Sequence, residues 1–393
     1  MPIPAKVARV SPALRMSLFF AAIFGVVGVY LPFWPVWLAG RGLSPAEIGL
    51  VTGASMLVRG FSTPLFGSVS DRAADRRQVM GVAALVAVLA MALLHLADGF
   101  AAILLAQIVL TLGHGALTPL ADNLAMLLCR AQGFDYGRIR ALGSFTFVVA
   151  AIGTGWIVSG RSAETVLWLL AATIVVNAFA VLLLPSVPQA PHAGPRGEVR
   201  PLLRQPVILW LLAAVTLIHC SHAVYYGFGT LEWRRQGLPD GAIGLLWGVG
   251  VVGEIALFWR GQSVLRHVDP IALIVLSGAA GVVRWLLTPL ATWVPALVLV
   301  QLLHALTFAA CHLGMMIVLS RAVPVTHSAT AQGLVTAMAG AIGLAAAMAS
   351  AGWLYAAFGA GAYYFMAVFA LLGAGAALMV GRTWNGEALA LSR

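Results

Sequence analysis

The chain has 393 residues, of which 61% are hydrophobic and only 9% are charged. Soluble globular proteins carry about 25% charged residues, so this composition excludes a soluble fold and indicates a chain surrounded largely by lipid. The net charge of +10 comes from arginines scattered singly between apolar runs. That pattern argues against nucleic-acid binding, which favours a clustered basic face.

The N-terminal residues are basic and then apolar, as in a signal peptide. The apolar run continues to about residue 39 with no cleavage site after a short core, so an uncleaved first membrane span is predicted. A span needs about 20 residues. Apolar segments of that length fall at 16–39, 46–70, 78–97, 100–129, 141–160, 164–184, 207–233, 241–262, 269–290, 293–320, 329–357 and 361–381.

The twelve segments form two sets of six, separated by the proline-rich stretch 185–206. This stretch is predicted to be an exposed linker between an N-terminal bundle, 1–184, and a C-terminal bundle, 207–393. Sixteen Lys and Arg residues lie on the side of the termini and linker, and four on the other side. The asymmetry predicts cytoplasmic termini in a plasma membrane protein, the bacterial inner membrane being the expected location.

The two halves also contain a repeat. The sequence GLSPAEIGL at 42–50 is similar to GLPDGAIGL at 237–245, with a constant offset of 195 residues. Both copies connect the first and second spans of their half. Related halves joined by a linker are typical of secondary transporters, whose binding sites lie at the midplane between the halves.

The most charged short stretch is GSVSDRAADRR at 67–77, at the cytoplasmic end of the second span. It resembles the G-x-x-x-D-R-x-x-x-R-R loop of the major facilitator superfamily. The matching residues are Gly67, Asp71, Arg72, Arg76 and Arg77. The resemblance implies a conformational latch and the major facilitator fold, with twelve helices in two pseudo-symmetric bundles. The alternative is a loop whose basic residues only fix the topology.

Further stretches narrow the resemblance. They include YLPFWPVWLAGRGLSPAEIGL (30–50), PLADNLA (119–125), FDYGRIRALGS (134–144), HAVYYGF (222–228), LWGVGVVGEIALF (246–258), GVVRW (281–285) and LLHALTFAACHLG (302–314). Together they are similar to the 3-phenylpropionate permease family, a relative of the lactose permease branch of proton symporters. The resemblance implies uptake of a small organic solute with protons, and it does not identify the solute.

Ionisable groups inside a membrane are costly and are functional candidates for that reason. Asp122 and Arg140 match the carboxylate–arginine pair at the sugar site of the lactose permease family, and a structural ion pair is the alternative reading. Glu254, Arg284 and His304 match a glutamate, an arginine and a histidine of that family. Glu254 is expected to be protonated, paired with Arg284 or His304, or in contact with substrate.

Proton coupling is predicted for Glu254 or Asp122, assisted by His304 and by His312. The two histidines are eight residues apart, about 80° around an α-helix, so both could face one cavity. His219 and His222 are three residues apart without a third metal ligand nearby, and the three cysteines are widely spaced. No metal site, disulfide framework or cofactor is predicted.

Some positions depart from the lactose permease pattern. Thr307, Gln301, Leu257 and Phe147 stand where that family has a carboxylate, a lysine, an asparagine and a sugar-stacking tryptophan. These departures weaken a sugar site. Three arginines against two carboxylates within the spans favour an anionic substrate instead, because an unpaired buried cation is costly.

Arg59 is the first candidate to bind a substrate carboxylate and Arg284 is the second, although helix carbonyls or Glu254 could satisfy either one. Aromatic side chains could stack on an aromatic solute or anchor the helices at the membrane surface. The substrate-binding candidates among them are Phe33, Tyr225, Tyr226 and Phe147, and the other aromatic residues considered are Trp34, Trp37 and Phe228.

The sequence therefore predicts a monomeric importer of an aromatic carboxylate such as 3-phenylpropionate, with protons as the co-substrate. The alternatives are an oligosaccharide or nucleoside symporter, an exporter and a facilitator. No HExxH, GxSxG or P-loop sequence is present, which argues against a membrane enzyme and against a transporter driven by ATP.

Overall fold

The computed structural model describes residues 11–73, 75–185 and 198–391, and these ranges contain helices but no β-strand. This confirms the all-α prediction. The α-helices in chain order are α1 Pro12–Gly40, α2 Pro45–Arg72, α3 Arg76–Leu96, α4 Gly99–Gln132, α5 Tyr136–Val158, α6 Glu164–Val181, α7 Val199–Leu203, α8 Pro206–Cys220, α9 Ala223–Arg235, α10 Asp240–Trp259, α11 Gly261–Leu265, α12 Pro270–Leu287, α13 Val294–His304, α14 Cys311–Ala322, α15 Ser328–Val335, α16 Gly343–Phe358 and α17 Ala362–Thr383. Two π-helical turns, Ala305–Ala310 and Thr336–Ile342, join α13 to α14 and α15 to α16.

Ten helical segments of the described chain are long and apolar enough to cross a membrane. The last of these runs over 59 residues, Val325–Thr383, and covers two predicted spans. Helix α2 is not among the ten, since polar residues such as Glu47 and Arg59 interrupt its apolar sequence. The chain is therefore an integral membrane protein, and the count of twelve spans stays a prediction.

The repeated sequence forms the same kind of turn twice. Gly42 and Gly237 follow the ends of α1 and α9 with φ of 82° and 85°, a left-handed conformation that glycine adopts without a Cβ clash. After the first turn, Ser44 caps α2 and Glu47 completes a capping box, which satisfies backbone N–H groups that have no partner inside the helix. The repeat is therefore a helix stop followed by a helix start.

The linker is only partly an exposed segment. Residues 186–197 lie outside the described part of the chain. The residues that follow form the short helix α7, in which Leu202 is completely buried in a cluster with residues of α8. The end of the predicted linker therefore packs against the helices, because it contains an apolar residue that burial stabilises.

Most helices pack against partners in their own part of the chain, where the N-terminal part is α1–α6 and the C-terminal part is α7–α17. Helix α1 packs on α5 and α6, α4 packs on α2 and α3, and α17 packs on α8 and α12. The two parts meet where α2 contacts α16, α5 contacts α10 and α1 contacts α9. These pairs determine which helices border the space between the parts.

Glycines bring the two parts together at one end of the molecule. We call this end, which carries residues 41–44 and 236–239, the closed face. A Cβ added at Gly352 of α16 would lie 2.4 Å from the carbonyl oxygen of Pro45, and one added at Gly155 of α5 would lie 2.3 Å from that of Asp240. The helix backbones therefore touch directly at the closed face, an approach that only glycine permits.

The same helices have room at the opposite end, which carries residues 73–75 and 260–269 and is called the open face. A Cβ added at Gly67 of α2, or at Gly333 of α15, would meet no atom within 4 Å, whereas one added at Gly60, nearer the middle of α2, would lie 2.4 Å from Cβ of Ala341. Helix α15 packs on α8 and α14 at this end. The space between the two parts therefore widens toward the open face.

The glycine contact at Gly352 predicts a way to loosen the closed face. Gly352→Val places a Cβ against the Pro45 carbonyl oxygen, and overpacking of this kind costs about 1–3 kcal/mol. A cysteine introduced at the buried Thr52 should then react about tenfold faster with an impermeant maleimide added at the closed face. Gly340→Val is the matched control, since a Cβ there meets open space. Equal rates in both variants would show that the glycine contact does not hold this face shut.

Candidate functional site

A fully buried arginine lies at the centre of the polar residues in the C-terminal part. Arg284 of α12 has no solvent exposure. Its guanidinium donates hydrogen bonds to Nδ1 of His304, Oγ1 of Thr307 and Oε1 of Gln301, each at 3.0 Å. All three acceptors belong to neutral groups, and none of the described carboxylates forms an ion pair with Arg284. The cation is therefore held by dipoles, with its charge uncompensated.

Aromatic rings supply further stabilisation of this charge. The guanidinium carbon lies 4.4 Å from the ring centre of Trp285 and 4.8 Å from that of Tyr225. Cation–π contacts of desolvated groups are worth about 2 kcal/mol or more each. Trp285 is itself held by a hydrogen bond of 3.0 Å from its ring N–H to Oγ of Ser221. The ring of Tyr225, a predicted substrate contact, thus packs against the guanidinium of Arg284 in this structure.

His304 connects this buried arginine to the carboxylate of Glu254. Because Arg284 donates to Nδ1, that nitrogen must be unprotonated in the neutral ring, and Nε2 carries the proton. Nε2 lies 3.7 Å from Oε2 of Glu254, whose side chain is 22% exposed. Of the two partners considered for Glu254, the structure brings His304 near and leaves Arg284 without direct contact.

The turn after His304 changes the geometry expected for the two histidines. Residues 305–310 form a π-helical turn, so the angle of about 80° calculated for a regular α-helix does not apply. His312 lies with its ring 5.8 Å from that of Phe258, outside the hydrogen bonds around Arg284. The expectation that both histidines face one cavity assumed a regular α-helix between them. Because the π-turn changes that angle, the expectation no longer follows from their spacing.

His222 joins the Arg284 cluster, a role that the sequence did not indicate. Its Nε2 lies 3.0 Å from Oγ1 of Thr307 and its Nδ1 lies 3.0 Å from the carbonyl oxygen of Ile218. The break between α8 and α9 turns His222 toward α13, and no glycine or proline marks that break. His219 faces elsewhere, with Nδ1 2.8 Å from the carbonyl oxygen of Val215. Among the described residues, no group of His, Cys, Asp and Glu is placed to hold a metal ion.

The N-terminal part brings Asp122 and Arg140 together. Oδ1 of Asp122 lies 3.4 Å from Nε of Arg140 and accepts a hydrogen bond of 2.8 Å from the hydroxyl of Tyr136. The guanidinium of Arg140 also stacks on Phe24, 4.1 Å from the ring centre. Arg140 is also the cation whose charge acts on Glu254, across the contact between α5 and α10. The proximity expected from the sequence is present, and it fits an ion pair as well as a binding site.

Arg59 differs from the other two arginines within the spans. Its side chain is exposed, and among the described residues its guanidinium has no hydrogen bond or ion pair. Residues 52, 55, 56 and 59 share one face of α2, so Arg59 lies one turn beyond Met56 toward the open face. Tyr30 and Asp122 lie within electrostatic range of its charge. Of the three arginines within the predicted spans, Arg59 is thus the one whose guanidinium has no hydrogen bond or ion pair in the described part of the chain.

Two polar groups near Arg59 were missed by the sequence reasoning. Nε2 of Gln107 lies 3.0 Å from both the hydroxyl of Tyr30 and Oγ of Ser55, deep between α1, α2 and α4. His114 lies on the same helix, and its Nε2 is buried without a hydrogen-bond partner. Gln107 is uncharged and was passed over for that reason. His114 could have been found from the sequence, because in LGHGA (112–116) an ionisable side chain stands between two glycines inside a predicted span.

A small cavity of about 20 Å³ lies between the two parts next to this region. Its lining consists of Tyr30, Leu31, Trp34, Pro35, Thr52, Met56, Tyr226 and Met348. Tyr226 and Trp34 are candidate aromatic contacts from the sequence, and here they border open space. Phe33 is completely buried and Phe147 is 4% exposed, so both lie in the helix core of this structure.

The motif at 67–77 lies at the open face and makes contacts within the N-terminal part. A guanidinium N–H of Arg76 donates to Oδ1 of Asn123 in α4, and Arg77 pairs with Asp75 at 2.5 Å. The hydrogen bonds from Arg77 hold the pKa of the Asp75 carboxyl below its usual value. Gly67 has open space beside it, and Arg72 is exposed. The side chain of Asp71 lies outside the described residues.

The hydrogen bonds around Arg284 predict unequal effects for two threonine substitutions. Thr307→Val removes the oxygen that accepts from Arg284 and faces His222, so two buried polar groups lose a partner. We expect a loss of about 1–3 kcal/mol in the free energy of unfolding. Thr216→Val, by contrast, removes a buried hydroxyl that has no partner and should be neutral or stabilising. Thermal unfolding in detergent checks both, and equal midpoints would contradict the network.

Comparison with known proteins places the chain in a family. The family profile described as "MFS_1 like family" matches residues 13–366. The chain is 32% identical over 313 residues to the probable 3-phenylpropionic acid transporter of Escherichia coli (strain K12), covering 77% of this chain and 80% of that protein. It is 27% identical over 272 residues to the maltose permease of Geobacillus stearothermophilus, covering 68% and 69%.

Solved structures agree in fold. The nucleoside transporter NupG aligns over 95% of this chain and 100% of its own, with a TM-score of 0.84 at 15% identity. A bacterial homologue of the human lysosomal transporter Spinster, in an inward-facing unoccupied conformation, aligns over 96% and 98% with a TM-score of 0.73 at 14% identity. The resemblance to the 3-phenylpropionate permease family is thereby confirmed. The chain belongs to the MFS_1 like family and is a membrane transporter of the major facilitator type.

Proposed function

We propose that this transporter takes up an aromatic carboxylate such as 3-phenylpropionate together with protons, by alternating access. The observation that carries the proposal is the unpaired, exposed guanidinium of Arg59, one helical turn from Met56, which lines a cavity with aromatic walls. A guanidinium binds a carboxylate through two parallel hydrogen bonds. The similar transporter from Escherichia coli is described as a probable 3-phenylpropionic acid transporter, which supports the same class of solute.

Arg59 is the better candidate than Arg284 for binding the solute. The guanidinium of Arg284 has no solvent exposure, and its hydrogen bonds to His304, Thr307 and Gln301 would have to break before it bound a solute. Arg59 requires no such rearrangement. Arg59 therefore remains the first candidate and Arg284 the second, because Arg284 would have to lose its hydrogen bonds before it bound a solute.

The cavity next to Arg59 suits the apolar end of the solute. Tyr30, Trp34 and Met56 come from the N-terminal part, while Tyr226 and Met348 come from the C-terminal part. A ring placed there would touch both parts, and offset stacking on aromatic side chains adds about 0.5–1.5 kcal/mol beyond area burial. At about 20 Å³ the cavity is too small for such a ring, so binding requires the helices to separate.

Proton coupling is assigned to Glu254 with His304 as its neighbour. Burial disfavours the charged form of a carboxylate, and Glu254 has Nε2 of His304 at 3.7 Å without a direct guanidinium partner. Asp122, by contrast, has Arg140 and Tyr136 as partners that favour the ionised carboxylate. The contrast favours Glu254 over Asp122 as the group that takes up the proton.

Alternating access would use the two faces described above. In the proposed organisation, a bundle of residues 1–184 and a bundle of 207–393 rock about the central site, with the termini and the open face toward the cytoplasm. The glycine contacts of the closed face would open while the motif at 67–77 latches the opposite side. A single chain contains both bundles, so a monomer suffices.

A sugar is the second candidate substrate. The similar maltose permease and the Asp122–Arg140 pair favour it, because a carboxylate and an arginine together can bind sugar hydroxyls. A nucleoside is supported by structural likeness alone. Competition by lactose, maltose and uridine against labelled 3-phenylpropionate separates these readings. Inhibition by a sugar without inhibition by aromatic acids would overturn the proposed substrate class.

The role of Arg59 predicts a large loss of affinity when its charge is removed. In proteoliposomes, Arg59→Gln should raise KM for 3-phenylpropionate by about tenfold or more, because one partner of a charged contact is lost. Arg161→Gln is the matched control, since Arg161 is an exposed arginine in the loop between α5 and α6. An unchanged KM in Arg59→Gln would remove Arg59 from the binding site.

The role of Glu254 predicts a separation of exchange from active uptake. Glu254→Gln mimics the protonated carboxyl, so solute exchange across the membrane should continue while uptake driven by an imposed pH gradient is lost. Asp122→Asn should keep its response to the gradient, even if its rate falls. The opposite pattern would assign the proton to Asp122, and a wild-type protein indifferent to the gradient would indicate a facilitator.

A further inference from the structure

Helix α4 carries a line of polar residues along one face. Gln107, Thr111, His114, Thr118 and Asp122 recur at intervals of three and four residues. Residues at these spacings lie on the same side of a helix, and the line extends about 22 Å along it. Asp122 at one end is satisfied by Tyr136 and Arg140. At the other end Nε2 of Gln107 is hydrogen-bonded to Tyr30 and Ser55, while its Oε1 is buried without a partner.

The middle of this line is not satisfied. Nε2 of His114 is buried and has no hydrogen-bond partner among the described residues. A neutral imidazole offers one donor and one acceptor, and a buried group of this kind is destabilising unless something binds it. The charge that acts on His114 is that of Arg59, from α2. The unpaired guanidinium of Arg59 and the imidazole of His114 therefore lie within electrostatic range of each other, on adjacent helices.

The backbone around His114 leaves room for this pair. Gly115 follows it, and a Cβ there would lie 3.4 Å from both Cγ of Arg59 and Oγ of Ser62. Gly113 precedes it and lets α4 approach α3 closely, since a Cβ there would lie 2.5 Å from the carbonyl oxygen of Ala83. The glycines thus bring α4 against its neighbours on either side of His114 without filling the space beside Arg59.

We infer that His114 is a second ligand of the solute's carboxylate, donating a hydrogen bond to it alongside Arg59. A carboxylate has two oxygens with about four acceptor positions, so it satisfies both side chains at once. The carboxylate then lies between α2 and α4, in the N-terminal part. This inference rests on the proposed uptake of aromatic carboxylates and adds a binding residue to it.

The test compares an acid with its neutral amide on purified protein. Apparent affinities for 3-phenylpropionate and 3-phenylpropionamide are measured for the wild type, His114→Gln, which keeps a donor, and His114→Leu, which removes it. We expect His114→Leu to weaken binding of the acid by about tenfold or more and His114→Gln by less than about threefold. Binding of the amide should change by less than about threefold in both. His95→Leu, at the exposed end of α3, is the control.

Several outcomes would overturn the inference. Unchanged acid binding in His114→Leu excludes a contact with the carboxylate, and equal weakening of acid and amide indicates a structural or water-filled site. Should the leucine variant fail to fold, His114→Phe keeps the ring shape and gives the same comparison. If the wild type binds no aromatic acid, the proposed function fails and this inference fails with it. If the wild type binds the acid and only the variants disagree, the proposed function stands alone.

Discussion

A charge inside a membrane needs partners, and the positions of the arginines within the spans follow from how each one finds them. Arg284 uses three neutral acceptors and two aromatic rings. Arg140 uses a carboxylate and two phenylalanine rings. The arrangement around Arg284 includes irregular backbone, namely the break between α8 and α9 and the π-turn after His304. Water is scarce at that depth, so such distortions cost less than leaving the groups unpaired.

Arg59 is the exception, because its guanidinium has no partner among the described residues. It lies one helical turn from Met56, which lines a cavity bordered by both parts of the chain, and its charge acts on His114, whose Nε2 is buried without a partner. In the proposed mechanism the substrate carboxylate supplies the charge that Arg59 lacks, because an unpaired cation inside the membrane is costly until an anion binds to it. The excess of arginines over carboxylates within the predicted spans favours an anionic substrate for the same reason.

Much of the fold was accessible from the sequence because it depends on local patterns. Apolar length predicted the helices, and the repeat at 42–50 and 237–245 predicted where the first and second spans of each half are connected. The proximity of Asp122 to Arg140 followed from charge pairing. The angle between His304 and His312 could not be calculated from the sequence, since a π-turn has no reliable sequence signature. The contacts of His222 and Gln107 depend on neighbours that are distant along the chain. Helix α7 packs through Leu202, a contact that the composition of the linker concealed.

The arrangement of the charges suggests how substrate and proton would be coupled. Closing the open face removes water from the cavity, and every uncompensated charge left inside then becomes more expensive. In the proposed mechanism, the carboxylate neutralises Arg59 and a proton neutralises Glu254, so the fully loaded site carries the least unpaired charge. If only the proton binds, the Arg59 cation stays unpaired and resists closure. If only the carboxylate binds, the Glu254 anion beside neutral His304 resists closure. Coupling can thus arise from desolvation alone, with no contact between the proton and the solute, which is consistent with the two groups lying on different parts of the chain.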